Sequence, residues 1–138
     1  MAILNEQNHD VRVVPLDGRA RVGPMIRQWM GDSRGRWEGQ TLVVETVHFN
    51  GKHDQIGRPL LNSGEHLTLV ERFTRPDRET LIYEYTVTDS TIWTAPWTVE
   101  YPMKLNPDLI YEFACHEGNY GLYNILAGSR MEEAAKSR

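Results

Sequence analysis

Cysteine is nearly absent. Cys115 stands alone in 138 residues, so the chain can form no intrachain disulfide and carries no cysteine set for a zinc ribbon. Also missing is any run of about 18 apolar residues, the length a membrane-spanning helix needs, so no membrane is expected as a partner. Basic charge is not in excess: 15 Lys and Arg stand against 19 Asp and Glu, giving −4, which argues against a phosphate-tracking surface and hence against nucleic acid. There is no His-Glu-x-x-His, no His-x-His, no internal repeat and no low-complexity tract. The opening Met-Ala-Ile-Leu-Asn-Glu-Gln-Asn has neither a basic region nor an apolar stretch of the kind an export signal carries.

What is present is an ordinary globular composition, 40% hydrophobic and 25% charged, enough for one domain over 1–138 with a single core. Its β-prone runs are short and separated by turn residues. Val11 to Leu16 forms a first strand, ended by Asp17-Gly18. Residues 19 to 36, with four glycines or prolines among five arginines, are expected to be a loop with one helical turn near Met25 to Met30. Trp37-Glu38-Gly39-Gln40 reads as a strand end and tight turn into a strand from Thr41 to Phe49, and residues 50 to 64 form a long turn-rich rim loop. Strands follow at about 66 to 75, 79 to 88, 97 to 105 and 109 to 116, then a helix from Asn119 to Ala135 in which Leu122, Ile125 and Leu126 recur at helical spacing. The expected fold class is mainly β: an antiparallel meander making a lipocalin-like barrel or strongly curved sheet, with the helix closing one end or packing outside.

Alternation assigns the faces. Leu81, Tyr83, Tyr85 and Val87 share a face with Trp97, Val99, Tyr101 and Met103, and with Leu109, Tyr111, Phe113 and Cys115. A one-residue slip would put all these aromatics in water, so this is the inner face, with outer charge pairs such as Lys104 with Glu112. In the 66 to 75 strand the same rule groups Leu67, Leu69, Glu71 and Phe73 and turns Glu71 inward. In the 41 to 49 strand both faces are partly apolar; Glu45 is a second candidate for an inward carboxylate.

Three blocks are familiar together: His9-Asp10-Val11-Arg12 with Pro15 to Arg19, then Trp29 to Phe49, then Cys115-His116-Glu117-Gly118-Asn119-Tyr120 with Ile125-Leu126. They resemble a large group of uncharacterised bacterial proteins in which Trp-x-Gly-x-Ser-x-Gly-x-Trp-Glu-Gly-Asp-Thr-Leu-Val-Val-Glu-Thr precedes Glu-Arg-Phe and Trp-Thr. Here the pattern runs Trp29, Gly31, Ser33, Gly35, Trp37 to Thr46, then Glu71-Arg72-Phe73 and Trp97-Thr98, with Gln40 where the pattern has aspartate. The resemblance spans nearly the whole chain. It implies bacterial origin and similar chains that extend further at the N-terminus, making Met1 a trimmed start; it brings no activity. Localisation stays open between cytoplasmic and exported.

Two carboxylates in an apolar cavity push their pKa values apart, which is how one becomes an acid and the other a base. Glu71 and Glu45, assisted by His48 or Tyr83, are therefore the catalytic candidates, with Trp37, Tyr85, Trp97, Tyr101, Tyr111, Phe113 and Arg34 as the ligand-binding set. The bland alternative makes Glu71 a structural ion pair with an arginine such as Arg34 or Arg36. His48, His53, His66 and His116 could converge on a divalent metal, although no cofactor is predicted. Gly31 to Gly35 faintly resembles the surroundings of a serine nucleophile but precedes a strand, so Asp32 and Ser33 read as turn formers. Cys115 and His116, adjacent in a strand, would point to opposite faces and cannot pair.

Two functions follow: an enzyme doing acid-base chemistry (hydrolase, lyase or isomerase type) on a small apolar or aromatic molecule, or a non-catalytic binding protein for such a ligand. A His-ligated metal protein comes third, and a homodimer is left open.

Overall fold

In a computed structural model of the chain, residues 1–52, 64–114 and 117–136 are described. A hairpin of β1 (Ala2–Leu4) and β2 (Val11–Val13), joined through a 3-10 turn at Gln7–His9, packs on a five-stranded antiparallel meander. The meander is β3 (Asp32–Glu38), β4 (Thr41–Val47), β5 (Thr68–Thr74), β6 (Thr80–Thr88) and β7 (Trp97–Lys104), in that order across the sheet. A helix, α1 (Gly121–Lys136), follows. The mainly β class with a C-terminal helix is thus present. Among the described residues the sheet stays open, with β3 and β7 as its edges and no barrel closure.

Three expectations need correction. Asp32 to Glu38 is a full strand, not part of a loop: it pairs residue for residue with β4 from Asp32 opposite Val47 to Glu38 opposite Thr41. The β-prone run of β4 and the two-residue turn at Gly39-Gln40 impose this pairing on a segment whose own propensity is poor. Residues 109 to 114 form no strand, and Leu109 and Tyr111 are exposed. Pro102 in β7 supplies a reason, because proline in a sheet is confined to edge strands and offers a further strand no donor. The expected pair of Lys104 with Glu112 is accordingly not formed; the Lys104 ammonium donates to Thr80 Oγ1 at 2.8 Å. Finally, α1 covers nothing: none of its residues is buried, and Leu122, Ile125 and Leu126 face solvent.

The register sorts the sheet into two faces. Gly35, Val44, Glu71, Tyr85 and Val99 form one row across it, and Trp37, Leu42, Phe73, Tyr83 and Tyr101 another on the same side. This aromatic face is the expected inner one on β5, β6 and β7. On β4 it is Leu42, Val44 and Thr46 that belong to it, so Glu45 points the other way.

The hairpin covers the β3–β5 end of this face. Val14, Leu42 and Val44 form the buried cluster, with Ile3 and Phe73 packed against it. Gly35 makes the close approach feasible. A Cβ there would lie 2.4 Å from Leu16 Cδ2 and 2.9 Å from Val14 Cγ1, and its N–H donates to the Pro15 carbonyl at 2.9 Å. Gly31 is more constrained still, with φ at +69° and a would-be Cβ 2.6 Å from Thr46 Cγ2 and 2.8 Å from the Val47 carbonyl oxygen. Left-handed strain and a backbone clash act together there. Gly31→Ala is expected to cost about 2 kcal/mol or more of stability in urea unfolding, whereas Gly128→Ala, in open space on α1, should leave the midpoint unchanged or raise it.

Candidate functional site

Among the described residues, the aromatic face of the sheet holds one carboxylate. Glu71, in the middle strand, is 3% exposed and accepts two hydrogen bonds from Arg12, Nη1 to Oε2 at 2.6 Å and Nη2 to Oε1 at 2.8 Å. The Tyr83 hydroxyl donates to the same Oε1 at 2.8 Å. Arg12 comes from β2, where the alternation is inverted: Val11 and Val13 face solvent while Arg12 and Val14 turn toward the sheet. Side chains from three strands, β2, β5 and β6, therefore meet at one buried charge. A fork of two parallel N–H donors matches a carboxylate in geometry and charge. It also occupies the lone pairs a general base would use.

Burial, followed by the negative charge of Glu71 and the hydrogen bond to it, pushes the Tyr83 hydroxyl well above the ordinary tyrosine range. Tyr83 is a neutral donor at physiological pH. Tyr101 is shifted up as well, first by burial and then by the nearby Tyr85 and Glu71.

Around this triad the aromatics form a connected strip. Tyr83 stacks on Phe73 at 4.9 Å between centroids and meets Tyr101 edge-on at 5.4 Å. Tyr85 meets Trp97 edge-on at 5.9 Å, and Trp97 meets Trp93 at 5.6 Å. The hairpin does not reach this part. Tyr85, Trp93, Trp97 and Val99 are half-buried and Tyr101 is 40% exposed, so the strip is open along β6 and β7. Trp93, from the β6–β7 connection, was not singled out in sequence because no strand alternation reaches it.

The other predicted site residues lie elsewhere. Glu45 and Arg34 are on the opposite face, which excludes a direct Glu45–Glu71 pair. Glu45 binds Arg21 at 2.7 Å. Arg34 binds the buried Asp32 carboxylate and donates to the carbonyls of Arg19 and Ala20 at 3.0 and 2.7 Å. An open groove of about 400 Å³ lies between them, but its arginines are matched: Arg19 with Asp17, Arg21 with Glu45, Arg34 with Asp32 and Arg36 with Glu38. It clamps the 17–22 segment to the sheet. Neither Arg34 nor Arg36 is the partner of Glu71.

Trp37 shares the aromatic face but is 61% exposed at its far edge. Tyr111 and Phe113 are outside the sheet; the Phe113 N–H donates to His9 Nε2 at 3.1 Å. His48 follows β4 in a left-handed conformation, φ 59°, with its Nδ1 buried and without a partner among the described residues. His66 is exposed, and His53, Cys115 and His116 lie outside the described residues. Among the described residues no three His, Cys, Asp or Glu side chains gather as metal ligands.

The signal that could have found Arg12 was local: a single charge inside Val11-Arg12-Val13-Val14 either exposes itself and buries two valines or does the reverse. Only a buried carboxylate elsewhere decides between them.

Removing one partner of a buried pair strands the other's charge at a cost of about 3–5 kcal/mol, whereas replacing both by apolar residues is often neutral. Arg12→Leu is therefore expected to lower the urea midpoint severely, and Arg12→Leu with Glu71→Leu to restore most of it. A double variant no better than the single would reject a structural ion pair. Because the folded-state Tyr83 pKa is raised, its contribution is fully present below the ordinary tyrosine value of about 10 and lost as pH rises beyond it. Tyr83→Phe should therefore show a flatter loss of stability between roughly pH 10 and 12 than the parent chain. No family model, curated protein or solved structure matches the chain.

Proposed function

We propose that the protein is a non-catalytic binding module that holds a small apolar or aromatic molecule on the open part of the aromatic face. The observation that carries this reading is the strip of half-buried Tyr85, Trp93, Trp97 and Val99 ending at the exposed Tyr101, beside a carboxylate that is already neutralised. Contiguous exposed apolar patches of this kind mark interaction sites on soluble domains. Each aromatic ring offers a large area at low entropic cost, and edge-on packing keeps the rings in fixed orientations.

Acid-base chemistry at Glu71 is less well supported. A general base has to reach its proton with a free lone pair, and Arg12 and Tyr83 hold both carboxylate oxygens. Glu45 cannot assist from the other face. Glu71, Arg12 and Tyr83 act in this reading as the brace that keeps the β5–β6 end of the strip flat against the hairpin.

The strip contains two tryptophans, so binding is observable directly. Titration with the uncharged probe N-phenyl-1-naphthylamine should quench tryptophan emission saturably and raise probe fluorescence. Tyr101→Ser, which shortens the strip at an exposed position, should weaken the probe about tenfold, the equivalent of about 1.4 kcal/mol. Unsaturable titration, or equal affinity in the variant, would count against the aromatic strip as the site.

A further inference from the structure

The inward turn of Ile3 and Arg12 puts Ala2, Leu4, Val11 and Val13 together on the outside of the hairpin, in the cross-strand pairs Ala2 with Val13 and Leu4 with Val11. No charge interrupts this patch. Leu4, Val11 and Val13 are 59, 54 and 68% exposed. A second uncovered apolar surface lies on α1, where Leu122, Ile125 and Leu126 share one stripe and are 71, 70 and 47% exposed. No residue of α1 is buried, so the two surfaces do not cover one another within a chain.

The two match in spacing and in charge. Two residues along a strand advance about 6.6 Å and four along a helix about 6 Å, so Leu122 and Leu126 are spaced as Ala2 and Leu4 are. The next such step reaches Glu6 at the hairpin turn and Arg130 on the helix. Glu6 and its neighbour across the turn, Asp10, are acidic, Arg130 is basic, and none of the three has an ion pair among the described residues. The Phe113 N–H donates to His9 Nε2, which holds the chain at that same turn and keeps Gly121, the start of α1, within about 29 Å of it. Both surfaces therefore belong to one end of the molecule.

We propose that two copies of the chain exchange these surfaces about a two-fold axis, α1 of each lying parallel to β1 of the other, with Leu122 over Ala2 and Val13, Leu126 over Leu4 and Val11, and Arg130 at the acidic turn. A two-fold arrangement makes the contact twice. Full burial of a Leu, Ile or Val side chain removes roughly 60 to 120 Å² of apolar area. With Leu4, Val11, Val13, Leu122, Ile125 and Leu126 exposed by about 60% on average, the reciprocal contacts cover roughly 650 Å² from these side chains alone. That is the small end of specific interfaces, so the dimer is weak, with a dissociation constant on the order of 10–100 μM. The contact uses no residue of the aromatic strip and is independent of the binding reading.

Sedimentation equilibrium of the full chain between about 10 and 500 μM should show the mass rising from monomer toward dimer. Val13→Lys and Ile125→Glu, each placing a charge in one of the two surfaces, should separately keep the chain monomeric over that range. Both positions are exposed and both new residues suit their elements, so circular dichroism and thermal midpoints in dilute solution should match the parent. An equimolar mixture of the two variants should dimerise again, because the heterodimer has one unaltered contact and one in which the lysine of one copy meets the glutamate of the other. A parent chain that stays monomeric throughout would overturn the exchange, including the case in which α1 folds back on its own hairpin. A variant that dimerises like the parent would overturn the surface it alters, and a mixture that stays monomeric would overturn the pairing of α1 with the hairpin.

Discussion

A bidentate ion pair between Arg12 and Glu71 joins two parts of the chain 59 residues apart, and the arrangement of the aromatic face depends on it. Glu71 is the charged residue in the central strand of an otherwise apolar row, between Val44 and Tyr85. Left alone it would hold water on the face that has to be dry. Arg12 satisfies it from above, and because Arg12 belongs to the hairpin, the same contact sets where the hairpin sits. A buried ion pair of this kind contributes little net stability against an apolar replacement, since both charges are desolvated. Its effect is on geometry: it admits one position of β1–β2 over the sheet.

That position divides the face in two. Under the hairpin, Val14 and Ile3 meet Leu42, Val44 and Phe73 and form the core. Beyond it, toward β7, the aromatics have neighbours along the sheet but, among the described residues, no layer above them. The division follows from lengths: two three-residue strands cannot cover five strands of seven to nine residues. The uncovered half is an aromatic strip along β6 and β7. On the opposite face, charges are matched across strands, as in the Glu38 contacts to both Arg36 and Arg72.

Much of the fold was legible in the sequence for a physical reason. Where one face of a strand is apolar and the other polar, a one-residue slip exchanges them, so alternation on β5, β6 and β7 left a single register. β4 was ambiguous because Val43 and Val44 are both buried, one on each face. β3 was hidden because its own residues, Asp-Ser-Arg-Gly-Arg, are poor strand formers and only the complete ladder with β4 holds them extended. The stretch 109 to 114 misled in the opposite direction: Leu109, Tyr111 and Phe113 alternate well, but the β7 edge carries Pro102, which offers a further strand no donor.

The candidate site divides along the same line. The sequence by itself determined that Glu71, Tyr83, Tyr85, Trp97 and Tyr101 share a face, because side-chain direction alternates strictly along a strand. It could not determine which cation meets Glu71, nor that Glu45 turns away, nor that the face stays half open. Those outcomes belong to the tertiary structure, since each depends on how far a separate element reaches. The inward turn of Arg12 reverses the local preference of Val11-Arg12-Val13, and the reversal is favourable only because a carboxylate and a tyrosine hydroxyl, 59 and 71 residues further on, wait at the same point in space.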